Sequence, residues 1–232
     1  MSITAAIIGS STGIGCALAN LLRENAVETV LFTRFPEALE GFHSYSLDLT
    51  RETEAHELLS RALSEHPSIE TVYLVSGTGD GEKTPDIETA KTTISLNCTG
   101  FTIAAYRAMD HFETQGGGQL IAVTSVSAIR GGSESLSYNA SKAYQSSLLE
   151  GLRCRAAKRG TSITVTEIRA GFVDTSMMKA ENSFWIATPR QAAEAIFAAS
   201  RSKKEMVYVL ARWRFLAWIL SLLPRFLYKR IG

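Results

Sequence analysis

Short runs of apolar and β-branched residues alternate with longer helical stretches along this chain, and that alternation limits what it can fold into. The seven runs are residues 4–8, 29–33, 44–47, 71–75, 119–124, 162–168 and 206–210. Apolar residues at helical spacing between them predict helices over residues 13–25, 51–65, 87–112, 137–159 and 189–200. A strand followed by a helix and another strand is the unit from which parallel sheets are built. The sequence therefore predicts an α/β fold: a doubly wound parallel sheet of about seven strands with helices on both faces.

Composition and charge exclude several classes of protein. A chain of 232 residues that is 45% hydrophobic and 20% charged fits one globular domain, which excludes a collagen, a disordered chain and a multi-domain array. The net charge of +1 combines a net −6 over residues 1–200 with a net +7 over residues 201–232. A globally basic nucleic-acid binder is therefore not indicated, we expect no nucleic-acid partner, and any cationic surface is local to the C-terminus. We expect residues 1–211 to form one domain and residues 212–232 to form an amphipathic, basic C-terminal extension of it.

Cysteine spacing and hydropathy bear on the cellular compartment. The three cysteines are widely spaced and lack a CxxC pair, which fits a reducing compartment, and nothing in the pattern predicts a metal site. The N-terminal residues show no signal-peptide pattern. The longest uncharged apolar run, residues 215–223, has nine residues, whereas a spanning helix needs about 20. We therefore expect a cytoplasmic protein without a transmembrane helix.

A glycine-rich loop lies directly after the first predicted strand and before the first helix. Residues 9–15 read Gly-Ser-Ser-Thr-Gly-Ile-Gly. A strand that turns sharply into a helix points unpaired backbone N–H groups and the positive end of the helix dipole at one spot, which suits a pyrophosphate. The alternative is a tight turn without a ligand, but its place after the first strand favours dinucleotide binding. The candidate residues are Gly9, Ser11, Thr12, Gly13, Ile14 and Gly15.

A second set of residues can carry acid–base chemistry. Tyr138 and Lys142 lie one helical turn apart at the start of a predicted helix, and Ser125 lies thirteen residues upstream near a strand end. A phenol with a pKa near 10 is a reluctant proton donor at neutral pH, and a neighbouring ammonium is expected to lower that pKa. A serine hydroxyl can polarise a carbonyl oxygen. A Tyr–Lys pair alone is common by chance, so the prediction depends on its occurrence together with Ser125 and the glycine loop.

The glycine spacing and the Ser125, Tyr138 and Lys142 set together resemble the short-chain dehydrogenase/reductase family over about residues 4–211. The resemblance implies a single-domain Rossmann fold and an NADP-dependent carbonyl reductase or alcohol dehydrogenase that transfers a hydride. It implies Tyr138 as general acid/base and Ser125 as the group that polarises the carbonyl. It also implies that Asn97, in an Asn-x-x-Gly segment, supports the site by holding a water in the proton path. The alternative is an NADP-binding sensor or scaffold without turnover.

The family pattern also assigns cofactor contacts. Arg34 follows a strand end that lacks an acidic residue, which resembles members that prefer NADP over NAD, because a guanidinium can pair with a 2′-phosphate. A solvated surface arginine is the alternative. Asp48 is placed at the adenine, although it could instead cap a helix. The other implied contacts, some in segments that depart from the family pattern, are Leu49, Ser76, Gly77, Tyr138, Lys142, Gly171, Val173 and Thr175.

The end of the chain is expected to set substrate and partner choice. An apolar lid is predicted after the sixth strand, from Met177, Met178, Phe184, Trp185 and Ile186, unless these side chains pack on the protein's own core. The lid favours an apolar ketone or alcohol as substrate. The aromatic and basic tail suits a helix on a bilayer surface, a helix over the substrate mouth or a contact with a partner subunit. The resemblance further implies a homodimer or homotetramer that pairs the helices containing Asn97 and Tyr138.

Overall fold

A seven-stranded sheet, parallel throughout, forms the centre of the molecule in a computed structural model that describes residues 4–79, 84–176 and 184–230. The strand order is β3-β2-β1-β4-β5-β6-β7. The strands are β1 (Ala5–Ile8), β2 (Thr29–Thr33), β3 (His43–Ser46), β4 (Thr71–Leu74), β5 (Gly117–Ser125), β6 (Ser162–Ala170) and β7 (Met206–Tyr208). Each predicted strand is present, so the α/β, doubly wound prediction is confirmed.

Helices cover both faces of this sheet. They are α1 (Gly13–Glu24), α2 (Glu52–Glu65), α3 (Ile87–Ile94), α4 (Phe101–Gln115), α5 (Leu136–Arg159), α6 (Pro189–Ser202), α7 (Arg212–Leu222) and α8 (Arg225–Tyr228). One buried cluster lies between the sheet and α1 and α6, and it includes Leu18, Leu31 and Ile196. The other lies on the opposite face under α2, α4 and α5, and it includes Phe32 and Phe112. Alternate strand residues thus face opposite cores, as expected for a sheet buried on both sides.

The prediction of one continuous α-helix over residues 87–112 is wrong, because the helix is interrupted. A π-helical turn, Ser95–Gly100, separates α3 from α4. Gly100 at its end packs against the chain after β3, where an added Cβ would lie 2.7 Å from the Leu49 carbonyl oxygen. Turns of this kind are inserted into helices frequently at functional sites, and this one contains Asn97.

The order of the strands places a crevice at one edge of the sheet. The chain runs outward from β1 to β2 and β3, and then crosses back to lay β4 on the other side of β1. In sheets of this type the connections after neighbouring strands diverge at such a point, and ligands bind outside the carboxyl ends of the strands. The segments that carry the candidate residues lie at or after the carboxyl ends of β1, β2, β3, β4, β5 and β6.

The C-terminal extension forms two helices beyond β7. Trp213 and Ala217 of α7 are buried against the domain, whereas much of the remaining surface of α7 and α8 is exposed. Within the described ranges, none of the helices has the length and apolar character needed to cross a bilayer.

A cleft at the carboxyl ends of the strands

The predicted residues meet in one cleft of about 780 Å³ at the carboxyl edge of the sheet. It is lined by Ser125 and by every residue predicted to contact the cofactor. These are Gly9, Ser11, Thr12, Gly13, Ile14, Gly15, Arg34, Asp48, Leu49, Ser76, Gly77, Tyr138, Lys142, Gly171, Val173 and Thr175. Asn97 is the exception, because it lies behind the lining.

The glycine loop leaves no room for added side-chain atoms. Gly9 has a φ of +99°, and a Cβ there would collide with Ser76. A Cβ on Gly15 would collide with the Gly9 carbonyl oxygen. The first turn of α1 holds no acidic residue that would repel an anion. This bare backbone cradle at the start of a helix fits the pyrophosphate of a dinucleotide.

Arg34 and Asp48 lie together at the far end of the cleft. Asp48 Oδ1 accepts hydrogen bonds from the Thr50 backbone N–H at 2.9 Å and from the Thr50 hydroxyl at 2.7 Å. Burial works to raise the pKa of Asp48, but these hydrogen bonds and the charges of Arg34 and Arg51 hold it below its usual value. The helix α2 begins only at Glu52, so Asp48 stabilises the preceding turn and does not cap that helix. The Arg34 guanidinium is exposed and stacks 5.5 Å from the centre of the Phe35 ring.

Tyr138 and Ser125 face each other across the middle of the cleft. Ser125 is the last residue of β5, and its hydroxyl accepts the Ser127 N–H at 3.1 Å and hydrogen-bonds the Tyr138 phenol. The sequence predicts a lowered pKa for that phenol, but burial raises it, and the Ser125 hydrogen bond only offsets part of the rise. A Cβ at Gly79 would lie 2.6 Å from a Tyr138 ring carbon, so the ring packs directly on this glycine.

Lys142 is buried beside Tyr138. Its ammonium lies 5.6 Å from the centre of the Tyr138 ring and donates a hydrogen bond to Gln145 Oε1 at 2.9 Å. Burial lowers the pKa of Lys142 to about 8. Gln145 is fully buried, and its Nε2 donates to the Asn97 carbonyl oxygen at 2.9 Å. The lysine is therefore held by a side chain that is itself tied to the π-helical turn.

Asn97 joins three elements behind the cleft. Its Oδ1 accepts the Thr78 N–H at 2.9 Å, and its Nδ2 donates to the Thr78 carbonyl at 2.7 Å and to the Ser141 hydroxyl at 3.0 Å. The side chain thereby fixes the segment after β4 against α5. Its role in holding a water stays a prediction.

Aromatic side chains form the mouth of the cleft. The Trp213 ring stacks on Phe184 at 5.2 Å and meets Phe172 edge-on at 5.6 Å. Leu216 and Leu220 of α7 join them in lining the cleft. One face of the tail therefore covers the mouth of the cleft, which is the position that one of the three alternatives predicts.

The predicted lid is present only in part. Phe184 lines the cleft, whereas Trp185 and Ile186 are exposed beside it without joining the lining. Met177 and Met178 lie outside the described residues.

Arg130 fastens the tail to the loop after β5. Its guanidinium donates to the carbonyl oxygens of Leu220 at 3.0 Å and Leu223 at 2.9 Å, which lie at the C-terminal end of α7. It also stacks 4.3 Å from the centre of the Tyr228 ring. The Tyr228 hydroxyl donates to the Gly131 carbonyl at 2.6 Å. These contacts hold α7 over the mouth.

Comparison with known proteins decides the family. The family model described as short chain dehydrogenase matches residues 3–184. The chain belongs to the short-chain dehydrogenase family. Oxidoreductase chemistry with a nicotinamide cofactor follows from this membership, and the predicted resemblance is confirmed.

Relatives of this short-chain dehydrogenase include staphylococcal proteins. An uncharacterized oxidoreductase of Staphylococcus aureus strain USA300 is 28% identical over 215 residues, which cover 87% of this chain and 92% of the relative. One from Staphylococcus haemolyticus is 28% identical over 184 residues, covering 75% and 79%.

Solved structures share the fold. A short chain dehydrogenase from Burkholderia cenocepacia in complex with NADP has a TM-score of 0.85 at 23% identity and covers 100% of this chain and 99% of its own. A short chain dehydrogenase/reductase from Burkholderia phymatum in complex with NAD has a TM-score of 0.81 at 15% identity, with coverage of 94% and 92%.

Sequence reasoning missed several residues of this short-chain dehydrogenase site. Gln145 lies three residues after Lys142 on α5, a spacing that puts both on one helix face and could have signalled the contact. Trp213, Leu216 and Leu220 recur at helical spacing in the tail. No local sequence pattern marks Arg130 as part of the site, because its partners lie about 90 residues further along the chain.

Proposed function

We propose that this short-chain dehydrogenase uses NADP(H) to interconvert a carbonyl and an alcohol on an apolar small molecule, with Tyr138 as general acid/base. The observation that carries the proposal is the meeting of Ser125, Tyr138 and Lys142 in one cleft with the bare glycine cradle. The nicotinamide, when bound, supplies or accepts the hydride. The protein must bind and orient the substrate and move one proton.

Tyr138 and Ser125 would handle the substrate oxygen. In the reducing direction the Tyr138 hydroxyl donates its proton to the oxygen as negative charge builds there, and in the oxidising direction the phenolate takes the proton back. The hydrogen bond between Ser125 and the phenol places the two hydroxyls side by side, so both would be within reach of one substrate oxygen. Ser125 then polarises the carbonyl as a second donor. Because burial raises the pKa of Tyr138, the phenol is held protonated, which suits the reducing direction.

Lys142 would place a positive charge near the phenol and the nicotinamide ribose. Gln145 accepts a hydrogen bond from its ammonium and restricts where that charge can lie. Asn97 supports the arrangement from behind through the Gln145 amide and Ser141. Gln145 and Asn97 therefore act as positioning residues.

Arg34 supports a preference for NADP over NAD. Its exposed guanidinium lies at the end of the cleft where the adenosine ribose is expected, and it can pair with a 2′-phosphate. Asp48 and Leu49 would contact the adenine, while Gly171, Val173 and Thr175 would line the nicotinamide end.

Apolar groups at the mouth support an apolar substrate. Phe172, Phe184 and Trp213 leave aromatic surface at the entrance. A ketone or aldehyde with a hydrocarbon substituent would bury that substituent there.

We propose that the protein acts in the cytoplasm. Residues 1–211 would form the catalytic domain, and residues 212–232 would form the extension whose helix α7 covers the mouth of the cleft.

A homo-oligomer paired through α4 and α5 is part of the proposal. Tyr106 of α4 and Tyr144 of α5 are exposed aromatic residues on these helices, with 47% and 42% of their surface accessible. Burying them against a second copy would stabilise a dimer, or a tetramer if a further surface pairs.

Binding and turnover, measured in parallel, test the proposal. NADPH and NADH titrations followed by nicotinamide fluorescence should show tighter binding of NADPH. Apolar ketones and aldehydes are then screened for NADPH oxidation beside sugars and keto acids, and the apolar set should turn over faster. NADPH binding without turnover on any carbonyl would favour the alternative, a sensor or scaffold.

A further inference from the structure

Helix α7 carries apolar side chains on two opposite faces. The inward face consists of Trp213, Leu216, Ala217 and Leu220, which are spaced i, i+3, i+4 and i+7 and pack toward the cleft and domain. The outward face repeats this spacing two residues later with Phe215, Trp218, Ile219 and Leu222. A helix that is apolar all round is normally covered all round.

The outward face is uncovered in the chain alone. The exposed fractions are 62% for Phe215, 60% for Trp218 and 63% for Leu222. Helix α8 extends this surface with Phe226, which is 68% exposed, and Leu227. These six residues, the four outward residues of α7 with Phe226 and Leu227, form what we call the outer tail face. Its size and aromatic content mark an interaction surface.

Charge around the outer tail face identifies the kind of partner. The segment 212–230 contains no acidic residue and five basic ones: Arg212, Arg214, Arg225, Lys229 and Arg230. A second copy docked symmetrically on this face would bring two such basic sets together, and like charges at an interface repel. Anionic lipid headgroups would instead meet positive charge beside apolar and aromatic side chains.

We propose that the outer tail face docks on an anionic lipid surface, with Phe215 and Trp218 entering the headgroup–acyl boundary. The arginines and Lys229 contact lipid phosphates. Arg130 keeps α7 seated on the domain while it docks, because it holds the carbonyl groups at the end of that helix.

Docking in this way would bring the cleft to the membrane. The inward residues of α7 line the cleft mouth while the outward residues lie in the lipid boundary, so the two environments are separated by the thickness of one helix. An apolar substrate dissolved in the bilayer could then enter without crossing bulk water. This consequence rests on the proposed function, whereas the docking itself does not.

Vesicle binding by the full chain tests the docking. The protein is sedimented with vesicles of phosphatidylcholine alone and with vesicles that also contain phosphatidylglycerol. We expect it to pellet with the anionic vesicles and to be released by added salt, which screens the phosphates. Removal of two exposed aromatic side chains, Phe215→Ser with Trp218→Ser, should lower the partition coefficient by roughly tenfold or more.

Matched controls separate this surface from general effects. Ile87→Ser removes an exposed apolar side chain from α3, outside the proposed dimer surface, and should leave vesicle binding unchanged. Neutralisation of Arg225, Lys229 and Arg230 to Gln should weaken binding strongly. The same neutralisation of exposed Arg201, Lys203 and Lys204, at the other end of β7, should weaken it much less.

Three results would overturn the proposal. The first is that the wild-type protein stays in the supernatant with anionic vesicles, which would show that it does not dock on anionic lipid. Equal pelleting of wild type and the Phe215→Ser, Trp218→Ser double variant would show that another surface binds lipid. A wild-type dimer in light scattering that becomes a monomer in the double variant would identify a second copy as the occupant. None of these readouts requires turnover, so they are independent of the proposed function.

Discussion

The two sides of the cleft are built in different ways. The side that we propose binds the cofactor, called the cofactor side below, consists of backbone at strand ends and of buried polar groups such as Ser125 and Lys142, which the parallel sheet positions. The mouth side consists of aromatic rings and of α7, which is fastened by Arg130 and Tyr228. The first arrangement is fixed by the fold itself. The second depends on helix α7, which follows the last strand. In the proposed function, substrate choice would therefore change without disturbing the proposed chemistry.

Tyr138→Phe should have the largest effect, and it acts on the cofactor side alone. Removal of the phenol oxygen removes the proton donor, so kcat should fall by roughly 10²- to 10⁴-fold while NADPH affinity changes little. Steady-state kinetics and fluorescence titration measure the two quantities. Tyr144→Phe, the same change at an exposed residue of α5, is the control and should keep full activity. Equal kcat values for wild type and Tyr138→Phe would show that Tyr138 is not the proton donor.

Lys142→Met removes a buried charge from the cofactor side, and it should change how the free energy of unfolding depends on pH. Because burial lowers the pKa of Lys142 to about 8 while the unfolded lysine titrates near 10.5, the unfolded chain binds more protons between these values. The free energy of unfolding of the wild type should therefore rise, relative to Lys142→Met, by up to about 3 kcal/mol as pH increases from 8 toward 10.5. Urea unfolding of both proteins across this range measures it. A difference that stays constant with pH would contradict a buried ammonium.

Gly171→Ala should disturb the mouth side. An added Cβ would collide with the indole of Trp213, so α7 must shift outward. We expect a loss of about 1–3 kcal/mol in the free energy of unfolding and a red shift in tryptophan emission. Gly151→Ala, on α5 with nothing within 4 Å of the new Cβ, should be neutral or stabilising. If the two variants were equally stable, α7 would not be seated as described.

Arg34→Gln should have the smallest effect, confined to the far end of the cofactor side. Loss of one charged contact should weaken NADPH binding by about tenfold, or about 1.4 kcal/mol, and leave NADH binding unchanged. Arg61→Gln, the same change on the exposed surface of α2, is the control. An equal loss for both cofactors would show that Arg34 does not distinguish them.

The same contrast explains what could be predicted from the sequence. Strand positions, the glycine loop and the spacing of Ser125, Tyr138 and Lys142 are local patterns, and the sheet brings them together without further information. The π-helical turn at Asn97 depends on how closely Gly100 approaches Leu49, which no local pattern encodes.

Residues whose roles depend on long-range packing could not be predicted. Trp213 and Leu220 gain their place at the mouth only because Arg130 holds α7 there, and the Arg130 contacts join residues about 90 positions apart. Gln145 could have been exposed on α5 as readily as buried beside Lys142. The raised pKa of Tyr138 likewise follows from burial, which the motif alone does not report.

Transfer of deuterium tests the central claim most directly. NADPH that carries deuterium at both positions of the transferring carbon, so that either face delivers label, is supplied with the apolar ketone that turns over fastest, and the alcohol product is analysed by mass spectrometry. We predict one deuterium on the carbon that becomes the alcohol carbon. Alcohol formed without label, or labelled NADPH bound but never oxidised, would contradict hydride transfer in this cleft.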